Sequence, residues 1–294
     1  MPRTLKSLKT PLRYPGGKSR AIVKLLQYLP DLSQVKEFRE PFLGGGSVAL
    51  EITKRYPKIE IWVNDLYEPL ANFWQTLQHD GEKLQNELFK IKKEYHSPDL
   101  ARDIFTRSKE YLSDQETEDF RRAVSFYIVN KCSFSGLTES SSFSKQASES
   151  NFSINGIDRL MEYSELIEGW RITNDTYESL LTDQKDVFVY LDPPYDIKIP
   201  IYGKRGSMHK HFDHDKFAND CDNHTAPMLI SYNSSQVVRD RFKDWNAAEF
   251  DHTYSMRTVG DYMREQQDRK ELVLLNYTSW ETVTHPCFNL LVLL

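Results

Sequence analysis

The sequence predicts an α/β fold with a mostly parallel, doubly wound sheet, and two observations carry that prediction. First, short apolar runs of strand length alternate with segments of helical periodicity along much of the chain. Such alternation is typical of folds in which helices cover both faces of a parallel sheet. Second, the tetrapeptide Asp-Pro-Pro-Tyr at 192–195 follows one apolar run directly. Ligands of open α/β sheets bind beyond the carboxyl ends of the strands, where this tetrapeptide is expected.

The strand and helix candidates divide the chain into a sheet domain and an insertion. The clear strand candidates are 35–42, 58–64, 187–191, 228–232 and 271–277, and the weaker ones are 170–173 and 248–254. Helical patterns at 47–55, 69–78 and 236–245 lie between them, and further ones at 82–95, 101–112 and 116–131 precede a Ser-rich stretch at 132–153. We therefore expect a discontinuous domain at 1–67 and 170–277, a helical insertion at 68–169 carrying an exposed polar loop, and a tail of unknown role at 278–294.

Composition places the chain among globular proteins and excludes several classes. With 294 residues, 39% of them hydrophobic and 28% charged, the chain is long enough for one large domain with an insertion. No apolar run reaches eighteen residues, and the basic N-terminus lacks the apolar core of a signal peptide. Three cysteines without CxxC spacing argue against a disulfide framework or a zinc site. We expect a cytoplasmic protein without a membrane partner.

The net charge of −5 conceals an uneven distribution. The first thirty residues hold seven Lys or Arg and no acid. A local basic stripe contacts phosphates even when the whole protein is acidic, although a solvated surface accounts for it equally well.

The tetrapeptide at 192–195 has the groups needed to hold an exocyclic amine. Two consecutive prolines cannot continue a sheet ladder, so they fix an extended turn that sets a carboxylate and an aromatic ring in a defined relation. An amine on a flat base needs acceptors for its two hydrogens and a ring to stack on. An ordinary proline-rich turn after a strand is the alternative.

A second motif is the glycine-rich turn at 39–47, between a predicted strand and a predicted helix. Gly44, Gly46 and Ala49 satisfy the G-x-G-x-x-A dinucleotide pattern, and Asp65 closes the next strand where a ribose-binding carboxylate is expected. On this segment alone an NAD oxidoreductase remains open, although the Glu-Pro-Phe lead-in favours a loop around an amino-acid moiety. The segment 13–19 imitates a P-loop, but Leu12 stands where that motif needs glycine.

Together these motifs resemble the Dam-type DNA adenine-N6 methyltransferases. The resemblance rests on LRYPGGK near the N-terminus, REPFLGGGSVAL, the strand-end Asp65 and DPPY, in that order, and it covers roughly 11–277. The segment 126–137 is similar to the one leading into the family's DNA-reading hairpin, and 270–277 to its closing strand. The resemblance implies a Rossmann-like S-adenosylmethionine-dependent methyltransferase sheet with a helical target-recognition insertion.

The resemblance also assigns roles to individual residues. Asp192 and the carbonyl of Pro193 are expected to hold the target amine while Tyr195 stacks on the base. The residues expected to bind S-adenosylmethionine are Tyr14, Lys18, Glu40, Pro41, Phe42, Gly44, Gly46, Asp65, Tyr177 and Asp192, with Asp65 accepting the ribose hydroxyls. One departure is visible. The family often has an acid before an aromatic residue near the cofactor's adenine, whereas this chain has Thr176-Tyr177, with Asp175 one place early.

Contacts to DNA are expected at a third group of residues, which is Lys6, Lys9, Phe134, Lys145 and Arg257. Phe134, Phe143 and Lys145 lie in the Ser-rich stretch, which either reads base edges or is a disordered surface loop. Arg257 and Arg264 either touch phosphates or are solvated. The three histidines at 209, 211 and 214 could ligate a metal, but a polar loop closing over the base is favoured, and we expect no metal site.

The sequence thus predicts a site-specific DNA methyltransferase that transfers a methyl group from S-adenosylmethionine to N6 of adenine in duplex DNA, by base flipping and direct transfer. A monomer is expected, with a cognate restriction endonuclease acting independently as a candidate partner. The alternatives are an RNA methyltransferase, a catalytically silent DNA-binding protein on the same scaffold and an NAD oxidoreductase. The helical insertion favours duplex DNA, and intact Asp192 and Tyr195 disfavour the silent protein.

Overall fold

A seven-stranded sheet forms the centre of the molecule. The computed structural model describes residues 9–14, 16–134, 141–196, 212–251 and 270–277. The strands are β1 Glu37–Glu40, β2 Glu60–Asn64, β3 Arg171–Thr173, β4 Val187–Leu191, β5 Met228–Asn233, β6 Asn246–Asp251 and β7 Lys270–Leu275. Their order in the sheet is β3-β2-β1-β4-β5-β7-β6, with β1 to β5 parallel and β7 antiparallel to both of its neighbours.

The predicted α/β class and its mostly parallel sheet are confirmed. Each of the seven predicted runs corresponds to a strand, although the insertion of antiparallel β7 between β5 and β6 was not predicted. The chain order reverses at β1 and β4, which are hydrogen-bonded neighbours. A crevice opens beyond the carboxyl ends of two strands at such a reversal, so the topology fixes where a ligand site belongs.

Helices cover the sheet and form the insertion. They are α1 Ile22–Leu25, α2 Ser47–Arg55, α3 Glu68–His79, α4 Gly81–Lys93, α5 Pro98–Ser113, α6 Asp119–Cys132, α7 Lys145–Ser150, α8 Ile154–Asp158, α9 Leu160–Leu166, α10 His214–Asp222 and α11 Gln236–Arg241. Short 3-10 helices span Lys18–Arg20, Leu32–Gln34 and Tyr177–Leu180. Among the described residues, no helix is long and apolar enough to cross a membrane.

Strand β4 shows why the sheet is buried on both faces. Its five residues are all buried, and alternate side chains point to opposite faces of a strand. Val187, Val189 and Leu191 enter an apolar cluster with α10, whereas Phe188 and Tyr190 enter the larger cluster that continues into the insertion. The continuous apolar run that predicted this strand is therefore the direct consequence of its central place in the sheet.

The insertion consists of α3 to α9, and α3 joins it to the sheet. The side-chain amide of Gln75 donates to the carbonyl of Ile172 in β3, and Gln78 donates to the carbonyl of Trp170. On its other side, Phe73 of α3 stacks on Tyr127 of the buried helix α6, with ring centroids 5.8 Å apart. Sheet and insertion consequently share one apolar core.

The described part of the Ser-rich stretch, at 132–134 and 141–153, contains a helix and buried residues where an exposed loop was predicted. It contains α7, whose N-cap Ser144 accepts a hydrogen bond from the amide of Ala147, and Ala147 is itself buried. Phe143, expected to read bases, packs against Phe105 of α5 at 5.6 Å between ring centroids and lies under the guanidinium of Arg102. The sequence of this helix has no regular spacing of apolar residues, so hydrophobic periodicity could not predict it. The cap of Ser144 and the burial of Ala147 hold the helix in position instead.

Candidate active site

Three carboxylates from three strands meet at one cavity. Glu40 ends β1, Asp65 follows β2 and Asp192 follows β4, so all three lie at the carboxyl edge of the sheet around the β1–β4 crevice. They line a cavity of about 300 Å³. The remaining walls come from the N-terminal segment, the glycine-rich turn, the 3-10 helix after β3 and the start of α10, including Tyr14, Lys18, Pro41, Phe42, Gly44, Gly46, Tyr177, Phe212 and Lys216.

The glycine-rich turn has a backbone that other residues would strain. Gly44 and Gly46 have φ values of +49° and +68°, a region that L side chains rarely adopt. A Cβ atom would lie 2.9 Å from the ring of Tyr14 at Gly44 and 2.9 Å from the ring of Trp74 at Gly46. The indole of Trp74 also donates to the carbonyl of Gly44 at 3.2 Å. Two aromatic rings therefore clamp the turn beside the cavity.

Backbone amides hold two of the three acids. Glu40 accepts a hydrogen bond from the amide of Ala49 at 2.7 Å, and burial raises the pKa of Glu40 well above its ordinary value. Asp65 accepts from the amides of Gly44 and Tyr67, each at 2.9 Å, and burial raises its pKa to about 6. An ionised carboxylate offers about four lone-pair positions. Asp65 can therefore accept two further hydrogen bonds from the cavity.

The third acid, Asp192, is held by a lysine 174 residues away in the chain. The ammonium of Lys18 lies 2.7 Å from each oxygen of Asp192, and the hydroxyl of Ser231 donates to Asp192 Oδ1 at 3.1 Å. Burial raises the pKa of Asp192 to about 6 despite the nearby ammonium. The ion pair raises the pKa of Lys18 above its ordinary value although burial opposes this. At neutral pH both groups are charged.

Tyr195 lies behind this pair, outside the residues that line the cavity. Its ring is 8% exposed and stacks on Tyr232, with centroids 5.9 Å apart and an interplanar angle of 26°. Its hydroxyl accepts from Lys18 at 2.8 Å and donates to Glu271 at 2.5 Å. The expected stacking of Tyr195 on a base remains a prediction. The sequence reasoning missed Glu271 and Ser231 entirely, because it read both of them only as strand residues.

An aromatic wall closes another side of the cavity. Phe42 stacks on Tyr177 at 5.6 Å between centroids, and Phe212 and Phe217 meet Phe42 edge-on, each at 5.9 Å. The hydroxyl of Tyr177 donates to Asp220 of α10 at 2.6 Å. Phe212 and Lys216 line the cavity as well and were not predicted, since no motif marks the start of α10.

The described residues expected to contact DNA come from the N-terminal segment and from the Ser-rich stretch of the insertion. Phe134 follows α6 with 48% of its surface exposed, and Lys145 is exposed at the first position of α7. Lys9 is exposed in the N-terminal segment. Lys6 and Arg257 lie outside the described residues.

Arg13 joins the N-terminal segment to the insertion. Its amide and carbonyl pair with the side chain of Asn130 at 2.9 and 2.7 Å, and its guanidinium donates to the carbonyl of Ser133 at 2.7 Å. The segment that carries Lys18 into the cavity is therefore fixed to the base of the Ser-rich stretch.

The histidines expected near the tetrapeptide are only partly described. His214 Nδ1 is hydrogen-bonded to the hydroxyl of Tyr232, while His209, His211 and Arg264 lie outside the described residues. In the part of the chain that the structure describes, no group of three or more His, Cys, Asp or Glu side chains is placed to hold a metal ion.

Comparison with known proteins identifies the family of this chain. The family model of the D12 class N6 adenine-specific DNA methyltransferase matches residues 14–256, which include Glu40, Asp65 and Asp192 of the cavity. The chain belongs to this family. The predicted adenine-N6 DNA methyltransferase is thereby confirmed, and the NAD oxidoreductase alternative is excluded.

Several relatives are similar to this methyltransferase. It is 26% identical over 202 residues to the type II methyltransferase M.MjaIII of Methanocaldococcus jannaschii, covering 63% of this chain and 68% of the relative. It is 23% identical over 283 residues to the type II methyltransferase M1.LlaDCHI of Lactococcus lactis subsp. cremoris, covering 90% and 94%. A DNA N-6-adenine-methyltransferase of Escherichia phage P1 is 28% identical over 126 residues, covering 43% of this chain and 15% of the relative.

Proposed function

We propose that the cavity binds S-adenosylmethionine and that the enzyme methylates N6 of an adenine flipped out of duplex DNA at a specific sequence. The observation that carries this proposal is the convergence of Glu40, Asp65 and Asp192 on one cavity beside a clamped glycine turn. A methyl donor with a sulfonium and an ammonium group suits a cavity lined by three acids. The volume of about 300 Å³ lies within the range of small-molecule sites.

Each wall fits one part of this cofactor. Asp65 has lone pairs free for the two ribose hydroxyls, as a strand-end acid does in nucleotide-binding sheets. Phe42 and Tyr177 supply an apolar wall suited to an adenine ring. Gly44 and Gly46 have no side chains, so the rings of Tyr14 and Trp74 pack directly against the turn, whose backbone lines the cavity.

Asp192 and Pro193 are the groups proposed to act on the target amine. S-adenosylmethionine, when bound, supplies a methyl group on a positively charged sulfur. The amine of adenine is a poor nucleophile because its lone pair is delocalised into the ring. Asp192 and the carbonyl of Pro193 accept its two hydrogens, which favours a tetrahedral nitrogen with its lone pair directed at the methyl group. Asp192 then takes up the proton that the methylated nitrogen must lose.

Lys18 and Ser231 fix the orientation of the Asp192 carboxylate. Their hydrogen bonds fix the carboxylate before substrate arrives, so little reorganisation accompanies the reaction. Tyr195 is proposed to stack on the flipped adenine, which requires its ring, now stacked on Tyr232 with the ammonium of Lys18 5.0 Å from its centroid, to become accessible when DNA binds.

We propose that the Ser-rich stretch of the insertion recognises DNA. Phe134 and Lys145 are exposed there, and Lys9, with Lys6 and Arg257, is proposed to contact phosphates. Burial, and then the charge of Arg13, lowers the pKa of Lys131 to about 8. An acidic phosphate would relieve this crowding of positive charge. A target-recognition domain at 68–169, beside a catalytic domain formed by 1–67 and 170–277, remains our proposed division.

The naming of two relatives as type II methyltransferases bears on the biological setting. We infer a role in restriction-modification, in which a cognate endonuclease cuts the same site independently and the methyltransferase acts as a monomer in the cytoplasm. Duplex DNA rather than structured RNA is the proposed substrate, because the insertion offers an exposed surface beside the cavity for reading neighbouring bases.

Titration calorimetry combined with a transfer assay tests the proposal. The protein should bind S-adenosylmethionine and show no heat with NAD, and it should transfer a labelled methyl group to duplex DNA and not to structured RNA. Binding of NAD alone would contradict the assignment of the cavity. Transfer to structured RNA and not to duplex DNA would contradict the assignment of the substrate.

A further inference from the structure

A buried glutamate, Glu271, lies next to the ion pair of Lys18 and Asp192. Glu271 is the second residue of β7, is 0% exposed, and lies opposite Asn233 of β5 and Phe250 of β6. The rest of β7 after it is the apolar run Leu-Val-Leu-Leu. Burying a carboxylate among such residues costs several kcal/mol unless it is paired and hydrogen-bonded. Its presence therefore calls for partners, and among the described residues these include Lys18 and Tyr195.

Glu271 contacts the two groups that flank Asp192. Its Oε1 accepts the hydroxyl hydrogen of Tyr195 at 2.5 Å and lies 3.4 Å from the ammonium of Lys18. The same ammonium lies 2.7 Å from both oxygens of Asp192. One buried lysine is thus shared between two carboxylates from different strands, and the tyrosine hydroxyl bridges the lysine and the second carboxylate.

Sharing the lysine has an electrostatic consequence. One ammonium faces two carboxyl groups, so the formal charges of Lys18, Asp192 and Glu271 sum to −1 when each group is ionised. If Glu271 were neutral, Asp192 would face the whole lysine charge alone. The oxygens of Asp192 would then be weaker acceptors for the hydrogens of an amine. A cationic methyl donor would face an ion pair of Lys18 and Asp192 with no net charge.

We propose that Glu271 is a positioning residue for methyl transfer, which shares the charge of Lys18 and holds the Tyr195 hydroxyl, so that the ionised form of Asp192 is only partly compensated by Lys18 and remains a strong acceptor for the target amine. This inference rests on the proposed function of the cavity. Glu271 itself touches neither substrate nor cofactor, and it acts through Lys18, Tyr195 and Asp192.

The competing explanation is purely structural, in which Glu271 only compensates the buried charge of Lys18. The two explanations differ in the titration of Asp192. Among the described residues, the titratable groups that interact electrostatically with Asp192 include Lys18 from the 3-10 helix, Glu271 from β7, Glu40 from β1 and Tyr190 from β4. Lys18 lowers the pKa of Asp192, and Glu271 raises it. Neutralising Glu271 should therefore lower the pKa of Asp192, and neutralising Lys18 should raise it.

The experiment measures single-turnover methyl transfer to duplex DNA, with S-adenosylmethionine saturating, between pH 5 and pH 8. Wild type should lose activity as the pH falls through about 6, where Asp192 becomes protonated. Glu271→Gln keeps the size and the acceptor for Tyr195 but loses the charge. It should lower the plateau rate about 10- to 100-fold, less than the roughly 100- to 1,000-fold typical of losing a direct electrostatic contact, because Glu271 acts through Lys18 and Tyr195. It should also move the midpoint to lower pH, with DNA affinity within about twofold of wild type.

Two further variants keep the test decisive. Lys18→Gln should move the midpoint to higher pH, and Lys18→Gln with Glu271→Gln should have a midpoint below that of Lys18→Gln alone, even if Glu271→Gln does not fold by itself. Glu249→Gln is the matched control, since Glu249 lies on the adjacent strand β6 and contacts Arg239 and Lys270. It should change neither the rate nor the midpoint.

The outcomes separate the two explanations and also separate this inference from the proposed function. A lower melting temperature for Glu271→Gln with an unchanged plateau rate and an unchanged midpoint would overturn the positioning role. In the double variant, a midpoint equal to that of Lys18→Gln would do the same. Absence of N6-methyladenine with folded wild-type enzyme would instead contradict the proposed function, and Glu271 would not be at issue.

Discussion

The carboxyl edge of the sheet and the exposed end of the insertion are built in different ways. At the sheet edge, Lys18, Asp192 and Glu271 are buried, come from distant parts of the chain and are fixed by one another. At the end of the insertion, Phe134 and Lys145 are exposed and close together in sequence, beside the helical core. The first region suits chemistry, which needs groups fixed before the substrate arrives. The second suits recognition, in which exposed side chains meet a partner's surface.

This difference predicts how substitutions behave. Changes at the sheet edge should reduce the rate of transfer or the binding of cofactor while leaving DNA affinity nearly intact. Changes at the end of the insertion should reduce DNA affinity while leaving cofactor binding intact. Four substitutions test this separation, in order of decreasing expected effect.

The largest effect is expected for Asp192→Ala. This change removes one of the two acceptors for the target amine and leaves Lys18 without its closest acid. The rate of methyl transfer should fall about a hundredfold or more, as measured by single-turnover transfer of labelled methyl groups. Asp186→Ala is a control, because Asp186 precedes β4 and pairs with exposed Lys36. Near wild-type transfer by Asp192→Ala would show that the chemistry is assigned to the wrong residue.

A smaller loss is expected for Asp65→Ala, and it should appear in cofactor binding. The affinity for S-adenosylmethionine should weaken by about 1.5–3 kcal/mol, the usual value of a hydrogen bond to a charged group. Calorimetry measures this directly, and Asp186→Ala again serves as the control. Because burial raises the pKa of Asp65 to about 6, wild-type affinity should also fall as the pH decreases through 6, where the carboxylate takes up a proton. A pH-independent affinity would remove Asp65 from the ribose contact.

At the insertion, Phe134→Ala should weaken the affinity of the protein for a duplex that carries its recognition sequence. The expected loss is about 1–3 kcal/mol, the usual value of stacking one base on an aromatic ring. Fluorescence anisotropy with a labelled duplex measures the change. Ile154→Ala removes another large exposed side chain, 52% exposed on α8, and should have no effect. Equal losses in the two variants would argue against a specific contact by Phe134, and so would weaker S-adenosylmethionine binding in Phe134→Ala.

The smallest effect is expected for Lys145→Ala. If Lys145 neutralises one phosphate, the slope of log affinity against log salt should become less steep by about 0.9, equally for cognate and unrelated duplexes. Lys90→Ala is matched to it, because Lys90 is exposed on α4 and pairs with Glu87. A change confined to the cognate duplex would mean that Lys145 reads a base instead.

Sequence reasoning located the strands and the acids at their ends for a simple physical reason. A buried parallel strand is apolar on both faces, and the residue after it emerges at the ligand edge. Asp192 is therefore visible as the first polar residue after its apolar run, and Asp65 as the acid directly after the last strand residue, Asn64. Glu271 was missed because an acid at the start of a strand reads as solvent-exposed. Its burial depends on Tyr195, 76 residues earlier, and on Lys18, and no local pattern records such a contact.

The insertion was predictable in its long helices and not in its short ones. Helices α4 and α5 have a regular apolar face, and α6 is buried on all sides over most of its length. By contrast, α7 depends on the cap of Ser144 and the burial of Ala147. The same tertiary packing took Phe143 into the helical core, although it lies only nine residues after exposed Phe134. Position in a Ser-rich stretch therefore does not decide which aromatic residue is free to contact DNA.

Sequencing of DNA with adenine-modification detection tests the central claim most directly. Wild type and Asp192→Ala would each be expressed in a host that lacks DNA methylation, with equal amounts of folded protein. We expect N6-methyladenine within one recurring sequence in the wild-type DNA and none in the DNA from Asp192→Ala. Unmodified adenine in DNA from folded wild-type protein, or the same methylated sequence in both samples, would contradict the account of this cavity.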